Sequence, residues 1–159
     1  MNVRILEVSG NRQHAEYCAG LLYRRWGEGK AGGPAFWRRW VSTSMPGTDN
    51  QHFVILADGA PVGTVAIMRC DLKSRQDLSP WIGHLIYDKT TFKNGFFIWH
   101  ETHAFCVGLA RELGFKRVYM YTSYDPKFFQ RYGWRFLETD TDRNGETVTI
   151  LYYELGITN

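Results

Sequence analysis

The sequence predicts a fold of the α/β class (α+β mixed), and three observations carry that expectation. Apolar and charged residues alternate from Val3 to Val8, the two-residue period of a half-buried strand. Asp58-Gly59 lies between two apolar runs, Phe53 to Ala57 and Val62 to Cys70, and both residues tolerate the positive φ of a tight hairpin. A long helical stretch ends at Leu113, where Gly114 suits a left-handed cap.

The remaining elements follow in order. Ser9 or Asn11 is placed to cap a helix from Arg12 to Trp26, with Ala15, Ala19, Leu22 and Trp26 near one face. Gly27, Gly29, Gly32, Gly33 and Pro34 break it, and a short helix follows over Phe36 to Ser42. Trp81 to Tyr87 reads as a strand, and a loop from Asp88 to Gly95 enters the long helix. Val118 to Thr122 is a short strand. Asp125-Pro126 opens a brief helix, with Gly133 closing it. Trp134 to Glu138 and Val148 to Tyr153 make a last strand pair, with the tight-turn signal Asn144-Gly145 in their connection.

Composition bounds the class. The chain has 159 residues, of which 44% are hydrophobic and 22% charged, so it can bury a core and is expected to be a single domain over residues 1–159. No apolar run approaches the ~20 residues of a membrane helix. The N-terminus lacks a secretory layout. Cys18, Cys70 and Cys106 are odd in number and widely spaced, which excludes a full disulfide framework and matches no zinc pattern. They are expected to be buried, reduced thiols of a cytoplasmic protein. The net charge of +3 suits a small anionic ligand and falls short of a nucleic-acid domain. Six Trp in so short a chain point to large apolar pockets or an interface.

The element order, with Trp81-Ile82-Gly83-His84-Leu85-Ile86-Tyr87, Leu113-Gly114-Phe115-Lys116-Arg117-Val118-Tyr119 and Phe128-Phe129-Gln130-Arg131-Tyr132-Gly133-Trp134, resembles the GCN5-related N-acetyltransferase (GNAT) family. The resemblance covers nearly the whole chain and is clearest from Phe53 to Leu155. It implies a splayed, mixed sheet of six or seven strands with about four helices on both faces. It also implies acetyl-coenzyme A as co-substrate, with no metal. The thioester arm would lie along Leu85, Ile86 and Tyr87, between that strand and the parallel strand ending at Thr122. The pyrophosphate would sit where the loop enters the long helix, on Lys93, Asn94, Gly95, Phe96 and Phe97. Unpaired amides and the positive end of the helix dipole favour an anion there.

Two departures stand out. The family pattern calls for two small residues in the loop, but Phe92-Lys93-Asn94-Gly95-Phe96-Phe97-Ile98 retains at most Gly95. Either the loop is an adapted phosphate site, or it binds nothing and packs Phe96 and Phe97 into the core. The second departure is Phe129, at the position where many members carry a Tyr acid that protonates the leaving thiolate. Phe129 is still expected beside the cofactor, and Tyr132 or Tyr124 stands as a substitute acid.

His84, on the strand lining the acetyl group, is the candidate base, and Asp71 could act through water. His100-Glu101-Thr102-His103 has the wrong spacing for a metalloprotease and reads as a solvated helix face. The resemblance places Trp26, Phe36, Trp37 and Trp40, together with Trp81, at the acceptor. Such a wall fits an uncharged or aromatic amine better than a polycation, since few carboxylates lie there apart from Glu28. The expected partner is a small-molecule amine, with no nucleic acid and no membrane, and the protein is a monomer or homodimer. The alternative is a non-catalytic ligand-binding or interaction module on the same fold.

Overall fold

The computed structural model describes residues 1–27, 33–88 and 95–156. Seven strands form one sheet: β1 (Val3–Glu7), β2 (Gln51–Ala57), β3 (Ala60–Met68), β4 (Trp81–Tyr87), β5 (Arg117–Thr122), β6 (Arg135–Thr141) and β7 (Thr147–Glu154). Their order is β1-β2-β3-β4-β5-β7-β6. The sheet is mixed: β4 and β5 are parallel, whereas β1–β2, β5–β7 and β6–β7 are antiparallel. The helices are α1 (Arg12–Leu22), α2 (Gly33–Ser42), α3 (Gly95–Glu112) and α4 (Lys127–Gln130).

Local sequence accounts for most boundaries. Asp58 and Gly59 take φ of 49° and 83°, so the hairpin turn has the positive-φ pair that matches strand twist. Asn11 is the α1 cap, its side chain accepting the His14 N–H. Gly114, at φ 87°, ends α3 with its N–H donating to the Arg111 carbonyl. Asp125 accepts the Lys127 N–H at 3.0 Å and so opens α4.

Three boundaries differ from the sequence expectation by three residues or more. α1 ends at Leu22 and continues as a π-helical turn, Tyr23–Gly27. A side chain at Gly27 would collide with the Trp37 indole, so the wider turn lets Trp26 and Trp37 approach to 6.5 Å between ring centroids. α2 begins at Gly33, before Phe36. β6 runs on to Thr141, with an irregularity between Phe136 and Glu138 that leaves Phe136 exposed.

The chain divides into two compact units, one of Met1–Ala66 and His84–Phe105, the other of Ile67–Gly83 and Cys106–Asn159. In the first, Val8, Cys18, Ala19, Leu22, Val41, Val54 and Leu56 form a core cluster against which Trp26, Trp37 and Ile86 pack. In the second, Leu72, Trp81, Val148 and Ile150 do the same, with Tyr119 and Tyr121 against them. Cys18 and Cys106 are buried, which pushes their thiols up to about 11 and about 12 and leaves them inert at neutral pH. Cys70 is only half-buried. Among the described residues no helix is long and apolar enough to cross a membrane.

Candidate active site

In the first unit the aromatic residues converge on His84. Its imidazole lies 5.6 Å from Trp26, 5.9 Å from Trp37, 6.2 Å from Trp40 and 6.0 Å from His52, between ring centroids. Phe36 stacks on Trp40 at 6.3 Å and meets Trp37 edge-on at 5.1 Å. The side chains come from the π-turn, α2, β2 and β4, so the sequence-predicted residues Trp26, Trp37, Trp40 and His84 form one cluster. Phe36 and Trp40 keep exposed faces, whereas Trp26 and Trp37 are half-buried. Within β4, His84 has φ of 51°, a left-handed backbone that costs a non-glycine residue roughly 1–2 kcal/mol.

His52 was not legible as a site residue, because it sits in an apolar strand with no motif around it. Its backbone N–H donates to Ser44 Oγ at 2.8 Å, and the Ser44 hydroxyl donates to Glu7 Oε1 at 2.5 Å. Its two ring nitrogens find no hydrogen-bond partner among the described residues. Burial lowers its pKa from 6.5 to about 4, against a smaller upward pull from Glu7. Burial, aided by His100, likewise takes His103 to about 4. Both rings are therefore neutral in the fold at pH 7, and between pH 6.5 and 4 the unfolded chain binds more protons than the folded one.

Stability from these histidines is thus complete above pH 6.5 and is lost as the pH falls toward 4. His52 alone accounts for on the order of 1–3 kcal/mol of that loss. Urea midpoints across this window should fall for the wild type and fall less for His52→Phe. A difference between the two proteins that stays constant from pH 6.5 to 4 contradicts the assignment.

The start of α3 also lies in the first unit. Lys93 and Asn94 of the predicted phosphate loop fall outside the described residues, while Gly95 begins the helix. Phe96 and Phe97 are 70% and 43% exposed, so neither fills the core as the second reading of the loop required. Ile98, Trp99 and Thr102 take the core positions instead. Gly95 has open space around it, and the first turn of α3 carries no acidic residue. Leu85, Ile86 and Tyr87 are half-buried although β4 is an interior strand.

The second unit holds the other candidates. Trp81 is fully buried between Tyr119, at 5.8 Å, and Tyr121, at 6.1 Å, and its indole N–H donates to the Leu78 carbonyl. It is a core residue with no surface to offer an acceptor, which corrects its sequence-based place in the acceptor wall. Thr122 is buried, and its hydroxyl accepts the N–H of the exposed Tyr124 at 3.0 Å. Phe129 and Tyr132 are half-buried beside Phe128.

Asp71 lies against β4 in this unit. A Cβ at Gly83 would collide with Asp71 Oδ2 and come within 2.6 Å of the Met68 methyl, so only glycine leaves room for the carboxyl. The residue is half-buried, and burial raises its pKa to about 7 against a lowering by Arg143. Burial and the Asp71 charge push Tyr121 up to about 12. Among the described residues no cluster of three or more His, Cys, Asp or Glu is arranged to hold a metal.

No protein-family model matches the chain, and no curated protein matches it. Solved structures do. An aminoglycoside 6'-N-acetyltransferase complexed with coenzyme A superposes with a TM-score of 0.73 at 11% identity, covering 100% of this chain and 99% of that one. The aminoglycoside 6'-N-acetyltransferase from Enterococcus faecium gives 0.71 at 10% identity, with 100% and 99% covered. An acetyltransferase of the GNAT family from Streptococcus pneumoniae gives 0.67 at 15% identity, with 98% and 100% covered. At such identities the likeness shows the fold. The chain has the fold of the GNAT acetyltransferases, as its motifs led one to expect.

Proposed function

We propose that the chain is an N-acetyltransferase that moves an acetyl group from acetyl-coenzyme A to the amine of a small acceptor by direct attack. The observation that carries the reading is the form of β4. It runs parallel to β5, with Trp81 opposite Tyr119, and leaves extended geometry at His84, where φ is 51°. A left-handed residue inside a strand interrupts the ladder and re-aims backbone N–H groups, which can then polarise a carbonyl. The fold shared with a coenzyme A complex supports the same reading.

The residues present fit that ligand. Leu85, Ile86 and Tyr87, in the first unit, offer partly exposed strand to a pantetheine arm. The amides of Gly95, Phe96 and Phe97, in a first turn that carries no acidic residue, suit the pyrophosphate. Bound acetyl-coenzyme A supplies an acetyl thioester. Tyr132 and Tyr124 are the candidate donors to the departing thiolate, and His84 shapes the acceptor side of β4.

The acceptor meets Trp26, Trp37 and Trp40. The segments carrying them, Tyr23–Gly27 and Gly33–Ser42, hold four arginines and no Asp or Glu. A polycation is repelled by such a wall, whereas a planar amine stacks on it. Titration calorimetry with acetyl-coenzyme A, then thiol release over tryptamine, phenethylamine, spermidine and kanamycin, tests the reading. Binding should be micromolar or weaker. Turnover should be slow, since loss of a general acid costs ~10²–10⁴ in rate, and the aromatic amines should lead. Preference for kanamycin or spermidine would overturn the acceptor assignment, and absence of binding would leave a non-catalytic module.

A further inference from the structure

We propose that His52 recognises a hydroxyl on the ring of the acceptor, an inference that rests on the acetyl-transfer reading above. The preferred acceptor is then an amine carried on a hydroxylated aromatic ring. His52, His84, Trp40, Ser44 and Glu7 all belong to the first unit. The His52 ring is stacked on His84, 6.0 Å away with 28° between the planes, and meets Trp40 edge-on at 6.3 Å. It forms the inner side of the aromatic cluster, for His52 is fully buried whereas Trp40 is 37% exposed.

The backbone of His52 is held from both sides. Its N–H donates to Ser44 Oγ at 2.8 Å, and its carbonyl accepts the Val8 N–H at 3.1 Å. Neither contact reaches the imidazole. Glu7, whose charge acts on the ring, accepts from the Ser44 hydroxyl with Oε1 and from the Ser9 N–H and hydroxyl with Oε2. Both ring nitrogens lack a hydrogen-bond partner among the described residues. Polar atoms so placed destabilise the fold where a phenylalanine would not. A ligand that supplies the missing partner removes that penalty.

The imidazole defines the chemistry of that partner. A neutral ring has one N–H donor and one bare nitrogen acceptor. A hydroxyl both donates and accepts, so it satisfies either tautomer. It also enters an indole-lined site without the desolvation penalty of a carboxylate or an ammonium. A phenol or hydroxyindole carries the hydroxyl on the same planar ring that stacks on the tryptophans. The acceptor's ring takes the place of the Trp40 edge over His52, a movement of one exposed side chain with no change of backbone.

Calorimetry with tyramine against phenethylamine, and with serotonin against tryptamine, tests the assignment, with and without coenzyme A. In wild type each hydroxylated amine should bind ~10-fold or more tightly than its parent. His52→Phe should abolish that preference while leaving the affinity for phenethylamine and tryptamine unchanged, and His52→Gln should retain part of it. Nitrogen-15 NMR of the His52 ring needs no variant: its signals should shift more on adding tyramine than on adding phenethylamine. Equal binding or equal shifts within each pair, or a preference that survives in His52→Phe, overturns this assignment alone. Thiol release that no amine accelerates, with the binding preference intact, overturns the acetyl-transfer reading and supports the hydrogen bond. Failure of all four amines to bind overturns the placement of the acceptor on the tryptophans and this assignment with it.

Discussion

Replacing Trp81 by alanine is expected to cost ~3–5 kcal/mol, the range for deleting a large buried aromatic. The side chain is fully buried, sits between Tyr119 and Tyr121, and packs with Leu72, Val148 and Ile150. Its indole N–H is satisfied by the Leu78 carbonyl, so truncation removes a hydrogen bond and opens a cavity together. Against a domain stability of about 5–15 kcal/mol, that loss brings the fold to the edge of unfolding. Urea denaturation followed by circular dichroism measures it. Trp81→Phe refills most of the volume and should lose about half as much or less. A loss under ~1 kcal/mol for the alanine variant would mean that the ring faces solvent, and would return Trp81 to the acceptor wall.

Why the sequence misplaced Trp81 while placing Trp26, Trp37 and Trp40 is a matter of period. The strand Trp81–Tyr87 has no regular polar alternation to show which side a given ring takes. The three other indoles lie among arginines on helical segments, where amphipathic spacing separates an exposed face from a core face. Turn chemistry was equally readable. Asp58-Gly59, Asn11 and Gly114 each impose a local geometry that no long-range contact has to supply. The π-turn was not readable, because it depends on Trp37 lying where a Gly27 side chain would be, a contact ten residues away. His52 and the setting of Asp71 are also products of tertiary packing. A sequence gives the identity of a buried imidazole or carboxyl, but not the desolvation that shifts it.

Asp71→Asn is expected to stabilise the protein by an amount that grows as the pH rises from 3.8 and is complete above about 7. The folded-state pKa is about 7 against an ordinary value of 3.8. A carboxyl whose pKa is raised on folding is held best when protonated. The folded chain then binds more protons than the unfolded one between those two values, so stability is fullest below pH 3.8 and declines as the pH rises toward 7. Asparagine carries no charge at any pH and escapes the decline. The gain over wild type should be near zero at acid pH and reach on the order of 2–4 kcal/mol above neutrality. His52 and His103 pull the wild-type curve in the opposite direction over an overlapping window, but both remain in the variant, so the difference between the two urea midpoints isolates Asp71. A loss of stability for Asp71→Asn in alkaline buffer would show the carboxylate to be well partnered in the fold.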